Sequence, residues 1–205
     1  MAKNDNSTLG VAPETARNSL PNAVDFMVRQ IVKGLVNTAK VVKVVAAYPG
    51  GTDGPAGYVD ILPLVCELDA DGNVLSPTTI YHVPYFRLQA GVAAVVIDPV
   101  PGDIGVAVIA QSDSSAVPQV ATQPVQPGSY RRYSEADSFY VGGFLNKAPS
   151  AWIELTQEGI INITAKNGVN IDTPNVTISG DIICGGFSFL GHTHTGVHGE
   201  TSTPH

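Results

Sequence analysis

Charge is what this chain has least of. Asp, Glu, Lys and Arg together make up 14% of its 205 residues, against the quarter or so usual in soluble domains, while apolar residues reach 43%. So few charges predict that part of the surface is covered by copies of the same chain. Positive charge is the scarcer sign: the formal net charge is −7, which argues against a nucleic-acid partner held through its phosphates. Cysteine is nearly absent. Cys66 and Cys184 lie far apart without metal spacing and read as buried or free thiols in a reducing compartment. No run approaches 18 apolar residues, which excludes a helical membrane span, and Met1-Ala2-Lys3-Asn4-Asp5-Asn6 lacks the apolar core of a signal peptide. Catalytic signatures are missing too. Neither Gly-x-Ser-x-Gly nor HExxH occurs, so His82, Asp103 and the many serines fall into no hydrolase pattern, and no enzyme is expected.

The length allows one or two small domains. Residues 1–19 are polar and small, which predicts a flexible arm. Val24, Met27, Val28, Ile31 and Leu35 then recur at helical spacing, with Pro21 in the first turn and Gly34 near the end. One amphipathic helix over about 20–34 follows. Its apolar face lacks a basic counterpart and is expected on its own domain or on a partner hub, not on lipid. Strand signals succeed one another from Lys40 to Ala110, interrupted by Pro49-Gly50-Gly51, by the Asp71-Gly72 reversal and by Pro101-Gly102-Asp103. Five or six strands without a second helix predict a small antiparallel barrel of OB type, so that 20–118 forms a helix plus an OB-fold domain. Residues 119–150 read as a collar or linker. Within it, Arg131 and Arg132 are either a solvated turn or a collar pairing with acidic groups of a neighbouring chain.

From Ala151 the pattern becomes regular. Ile153/Leu155, Ile161/Ile163, Val169/Ile171, Val176/Ile178 and Ile182 recur every seven or eight residues, punctuated by Gly159, Gly168, Pro174-Asn175 and Gly180. That periodicity marks a β-solenoid or β-helix over 151–190. Five such segments make fewer than two coils of a single-chain, three-sided solenoid, too few for stability. Three chains wound about one axis cover the aliphatic rows and remove the open strand edges, so a homotrimer is expected. At the end, Gly191-His192-Thr193-His194-Thr195-Gly196-Val197-His198 carries a His-x-His pair. On a strand, residues i and i+2 share a face, so His192 and His194 aim together. Three copies supply six nitrogens around one axis, an octahedral shell suited to a transition metal such as iron or nickel. The alternative is a solvated polar tail.

Four segments occur in a telling order: Pro101-Gly102-Asp103-Ile104-Gly105, Pro127-Gly128-Ser129-Tyr130-Arg131-Arg132-Tyr133, Asp137-Ser138-Phe139-Tyr140-Val141-Gly142-Gly143-Phe144, and Gly191-His192-Thr193-His194. Together they resemble the small membrane-puncturing central spike proteins at the baseplate of contractile-tailed bacteriophages, over most of the chain from about residue 20. The resemblance implies a trimeric needle in the virion, at the tip of the tail baseplate. An OB-fold domain would face the baseplate hub and tail tube, an intertwined β-helix would follow, and 191–205 would form a pointed apex. It also implies one buried iron ion per trimer, held by His192 and His194. His198 lies outside the matched pair and is a possible additional ligand. The implied function is mechanical: the needle concentrates the force of sheath contraction and pierces the host outer membrane. The inserted lysozyme-like region of larger relatives is lacking. The competing reading is an OB-fold glycan-binding or other adhesion protein with a β-solenoid stalk.

Overall fold

The computed structural model describes residues 18–69, 72–117, 123–197 and 199–200, together with Thr15. The proposed arm at 1–19 falls almost wholly outside the described residues. Two compact units divide the chain, Met1–Lys147 and Ala148–His205. The architecture is mainly β.

Helix α1 spans Leu20–Leu35. Ser19 caps it, its side chain accepting from the Asn22 N–H at 3.3 Å, and Pro21 sits in the first turn where no intrahelical N–H is needed. Asp25 and Arg29 pair one turn apart at 2.8 Å. The apolar face is not docked on its own unit: Val24, Met27, Val28, Ile31 and Leu35 all stay exposed.

The first unit is organised by a five-stranded antiparallel sheet. Its members are β1 (Ala39–Tyr48), β2 (Tyr58–Pro63), β5 (Ile80–Pro84), β8 (Ile104–Ile109) and β9 (Ser138–Val141), in the order β5-β2-β1-β8-β9. Two hairpins stand apart from it: β3 (Glu67–Leu68) with β4 (Val74–Leu75), across the predicted Asp-Gly reversal, and β6 (Leu88–Ala90) with β7 (Ala93–Val95). Alternation makes the core. Along β1, Val42 and Val44 point inward while Lys43 and Val45 point out, and a register shift between Val44 and Ala46 bends the strand. Val59, Ile61, Ile80, Val83, Tyr85, Ala107 and Tyr140 complete the cluster. Each large aliphatic in it contributes roughly 1.5–3 kcal/mol by leaving water.

The sheet curls until its edges meet. Tyr85 and Tyr140 form a parallel bridge between the ends of β5 and β9, and the Phe86 N–H donates to the Tyr140 carbonyl at 2.8 Å. β9 therefore corrects the expected boundary at 118. The segment read as a collar, 119–150, supplies the fifth strand, and the compact unit closes at Lys147. Gly105 permits this packing, because a Cβ there would lie 2.6 Å from both a Tyr140 ring carbon and the Val141 carbonyl oxygen. Backbone cannot rotate away. Gly105→Ala should cost about 2–3 kcal/mol, the upper part of the overpacking range, seen as a lower midpoint in denaturant titration.

Arg131 also departs from expectation, since its guanidinium pairs inside its own chain. Nε donates to Asp137 Oδ2 at 2.8 Å, and Nη2 donates to Asp113 Oδ1 at 2.8 Å and Asp137 Oδ1 at 3.0 Å. Both carboxylates are buried. Hydrogen bonds from Ser115 and Ser129, more than the Arg131 charge, hold Asp113 down at about 2, and the Arg131 hydrogen bond is the chief cause lowering Asp137. Folded-state values below the unfolded value of about 4 mean stability that is complete above pH 4 and lost as pH falls toward 2. Arg131→Ala leaves two buried carboxylates without their cation. It should destabilise the unit at pH 7, by less than the loss of a fully desolvated pair because the guanidinium is partly solvated. That difference from wild type should begin to shrink as pH falls below 4 toward 2 and the carboxylates start to take up protons; equal losses at pH 7 and pH 2.5 would contradict the assignment.

The second unit starts with a hairpin, β10 (Ala151–Leu155) against β11 (Ile161–Ala165), turned at Gly159 with φ +81°. The register pairs Ile153 with Ile163 and Leu155 with Ile161, putting four aliphatic side chains on one face. The other face is mixed, with Trp152 and Thr164 beside Glu154, which accepts from Asn162 Nδ2 at 3.0 Å. Nothing among the described residues of the unit covers the aliphatic face. Ile153, Leu155, Ile161 and Ile163 are 58–75% exposed, and Val169, Ile171, Val176, Ile178 and Ile182 are exposed too. Only the first two of the expected repeat segments are strands, since 166–182 carries none. Two short hairpins follow: β12 (Ile183–Cys184) with β13 (Phe187–Ser188), and β14 (Thr195–Gly196) with β15 (Gly199–Glu200).

Candidate metal centre

The His-x-His segment is held between these last two hairpins. Gly185 and Gly186, at φ +58° and +88°, supply the two left-handed residues of the tight β12–β13 turn. Phe189 N–H then donates to the Ile182 carbonyl at 2.9 Å, and Leu190 N–H donates to Asp181 Oδ1 at 3.0 Å. Gly191 N–H donates to Ser188 Oγ at 2.7 Å, so close that a Cβ on Gly191 would lie 2.9 Å from that hydroxyl. The chain thus enters the histidines from a fixed position.

His192 and His194 lie in irregular backbone just ahead of β14, not within the strand that i, i+2 spacing suggested. Their rings nevertheless meet. The centroids are 4.9 Å apart with an interplanar angle of 89°, and the Phe189 ring tilts against His192 at 5.8 Å. His192 Nδ1 lies 2.7 Å from the Phe189 carbonyl oxygen. A carbonyl only accepts, so Nδ1 carries the proton and the Nε2 lone pair is left for a metal. Such a backbone anchor on the far nitrogen is the usual support of a ligating imidazole.

One chain does not make a complete site. No group of three or more metal-ligating side chains occurs among the described residues. His198 lies outside the described residues. The backbone around it returns as β15, with Gly199 opposite Gly196. Two imidazoles per chain would supply one third of an octahedral nitrogen shell, which suits a borderline transition metal.

The other histidine and carboxylate weighed in the sequence occupy separate neighbourhoods. His82 adopts φ +56°, its N–H donating to the buried Asp60 at 3.0 Å and its ring stacked on Tyr48. Asp103 accepts from the Val100 N–H at 2.9 Å. Spacing arguments missed Phe189, Ser188 and Asp181 as supports, although Phe189 stands three residues before His192, within reach of a turn. No family model matches the chain, and no curated protein matches it. No helix among the described residues is long and apolar enough to cross a membrane.

Proposed function

We propose that three copies of this chain form the puncturing spike of a contractile injection machine, with 151–190 as an intertwined β-helical shaft and a metal-stapled apex. The observation that carries this reading is the uncovered aliphatic face of β10–β11 and the exposed aliphatic positions through Ile182. A hairpin with a bare apolar face is marginal in water, and a patch of this kind marks an interface. Three chains wound together bury it and give 166–182 partners for strand pairing. The strand order β5-β2-β1-β8-β9 and the bridge closing β5 onto β9 support reading the first unit as an OB-type barrel.

In this reading the first unit and the exposed α1 face engage the baseplate hub and tail tube, and the shaft pierces the outer membrane without covalent chemistry. His192 and His194 of three chains would hold one transition metal ion, iron by resemblance. The ion would supply cross-linking of three otherwise fraying ends, because ligand bound only to the folded state adds to its stability. Sedimentation of the full chain tests the core of the proposal. A species of about 64 kDa, three times 21.4 kDa, is expected; a 21.4 kDa species at micromolar concentration would end it.

The adhesion alternative has one favourable observation: Tyr48, Tyr58, Tyr81 and His82 gather at the β1, β2 and β5 side of the sheet, with Tyr48 and Tyr81 well exposed. Glycan binding lost in Tyr48→Ala with Tyr81→Ala would favour it.

A further inference from the structure

Asp181 and His192 stand on opposite sides of one peptide group, the Phe189–Leu190 unit. Its Leu190 N–H donates to Asp181 Oδ1 at 3.0 Å, and its Phe189 carbonyl oxygen lies 2.7 Å from His192 Nδ1. A peptide is planar and trans, so its N–H and C=O point in opposite directions and turn only together. Fixing the N–H therefore fixes where the carbonyl aims. The flanking groups hold the same peptide from both ends. The Phe189 N–H donates to the Ile182 carbonyl at 2.9 Å, and the Gly191 N–H donates to Ser188 Oγ at 2.7 Å.

Asp181 has the chemistry for this task. Hydrogen bonding from Ser188, then from the Leu190 N–H, holds its carboxyl below the usual range, so it accepts as a carboxylate at neutral pH. Hydrogen bonds to an ionised acceptor are about twice as strong as neutral ones. They also polarise the amide, which makes the Phe189 oxygen a better acceptor for the imidazole proton. The carboxylate is exposed, so water and salt screen its charge, and little of it reaches a metal directly. Its influence runs through the peptide.

We infer that Asp181 is a positioning residue for His192, acting through the Phe189–Leu190 peptide to keep the ring proton on Nδ1 and the Nε2 lone pair available to a metal. A ring released from this anchor exchanges its proton between the two nitrogens, and the share carrying Nε2–H cannot ligate through Nε2. The inference rests on the metal-stapled apex proposed above.

Two readouts on the full chain test it, one of them without metal. Protein made in metal-depleted medium and stripped with chelator is titrated with Ni²⁺ against a competing chelator; Ni²⁺ suits an imidazole shell and binds it more tightly than Fe²⁺. Asp181→Ala should weaken Ni²⁺ binding by about tenfold to a hundredfold, the usual effect of losing a support behind a ligating imidazole. Asp181→Asn keeps an oxygen for the Leu190 N–H and should fall between wild type and Asp181→Ala. In the metal-free proteins, nitrogen NMR shifts of isotope-labelled histidine should place the His192 proton on Nδ1 in wild type and on both nitrogens in Asp181→Ala. Wild-type Ni²⁺ affinity in Asp181→Ala, or weakened affinity with the proton still held on Nδ1, overturns the role of Asp181 and leaves the metal site standing. A wild-type protein that takes up no Ni²⁺ overturns the metal site itself, and the positioning role falls with it.

Discussion

Ile153→Asp combined with Ile163→Asp should convert the trimer into single chains while the first unit stays folded. In one chain both positions are more than half exposed, so carboxylates there would cost nothing and would aid solubility. In three wound chains the same substitutions place six carboxylates on a dry axis. Each loses several kcal/mol of hydration with no cation to replace it, which exceeds what the remaining aliphatic rows can hold together. Sedimentation should fall to the single-chain mass, and the near-ultraviolet signal of the first unit's buried tyrosines should persist. A double variant that remains trimeric would show that this face does not line the interface.

His192→Ala with His194→Ala should abolish bound metal altogether. Purified wild-type protein is expected to carry about one transition metal ion per three chains, and the double variant none. The shaft rows are untouched, so the double variant should still sediment as a trimer, but its apex should become sensitive to protease. His192→Ala alone removes half of the ligands and should lower affinity by orders of magnitude, since His192 is the ring whose proton position is fixed by Phe189. A full metal complement in the double variant would pass the site to other residues, His198 first among them.

Much of this was legible in sequence, for local reasons. Val42 and Val44 alternate with Lys43, so the inward face of β1 is written in period two. The Ser19-Leu20-Pro21 start of α1 is written in capping chemistry. The pairing of His192 with His194 also came from spacing, although the strand that spacing assumed begins only at Thr195. The misses are non-local. Ser138–Val141 is short and follows a Pro- and Gly-rich stretch, so nothing nearby says that it pairs with β8 thirty residues earlier. Arg131 reads in sequence as either a solvated turn or a pairing with a neighbouring chain because its partners, Asp113 and Asp137, stand 18 and 6 residues away, spacings no motif encodes.

The meeting of β5 with β9 also sets a timetable. β1 starts at Ala39, but the strand that seals the sheet begins only at Ser138. At a synthesis rate of roughly 5–20 residues per second, several seconds separate them on the ribosome. From the time each is made until β9 emerges, β5 and β8 offer a bare hydrogen-bonding edge, and neighbouring nascent chains carry the same edges. A chain stopped before Ser138 keeps both edges permanently. Such fragments should aggregate through strand addition, and full-length yield should depend on how crowded translation is. The last strand made acts as the unit's safeguard against its own siblings.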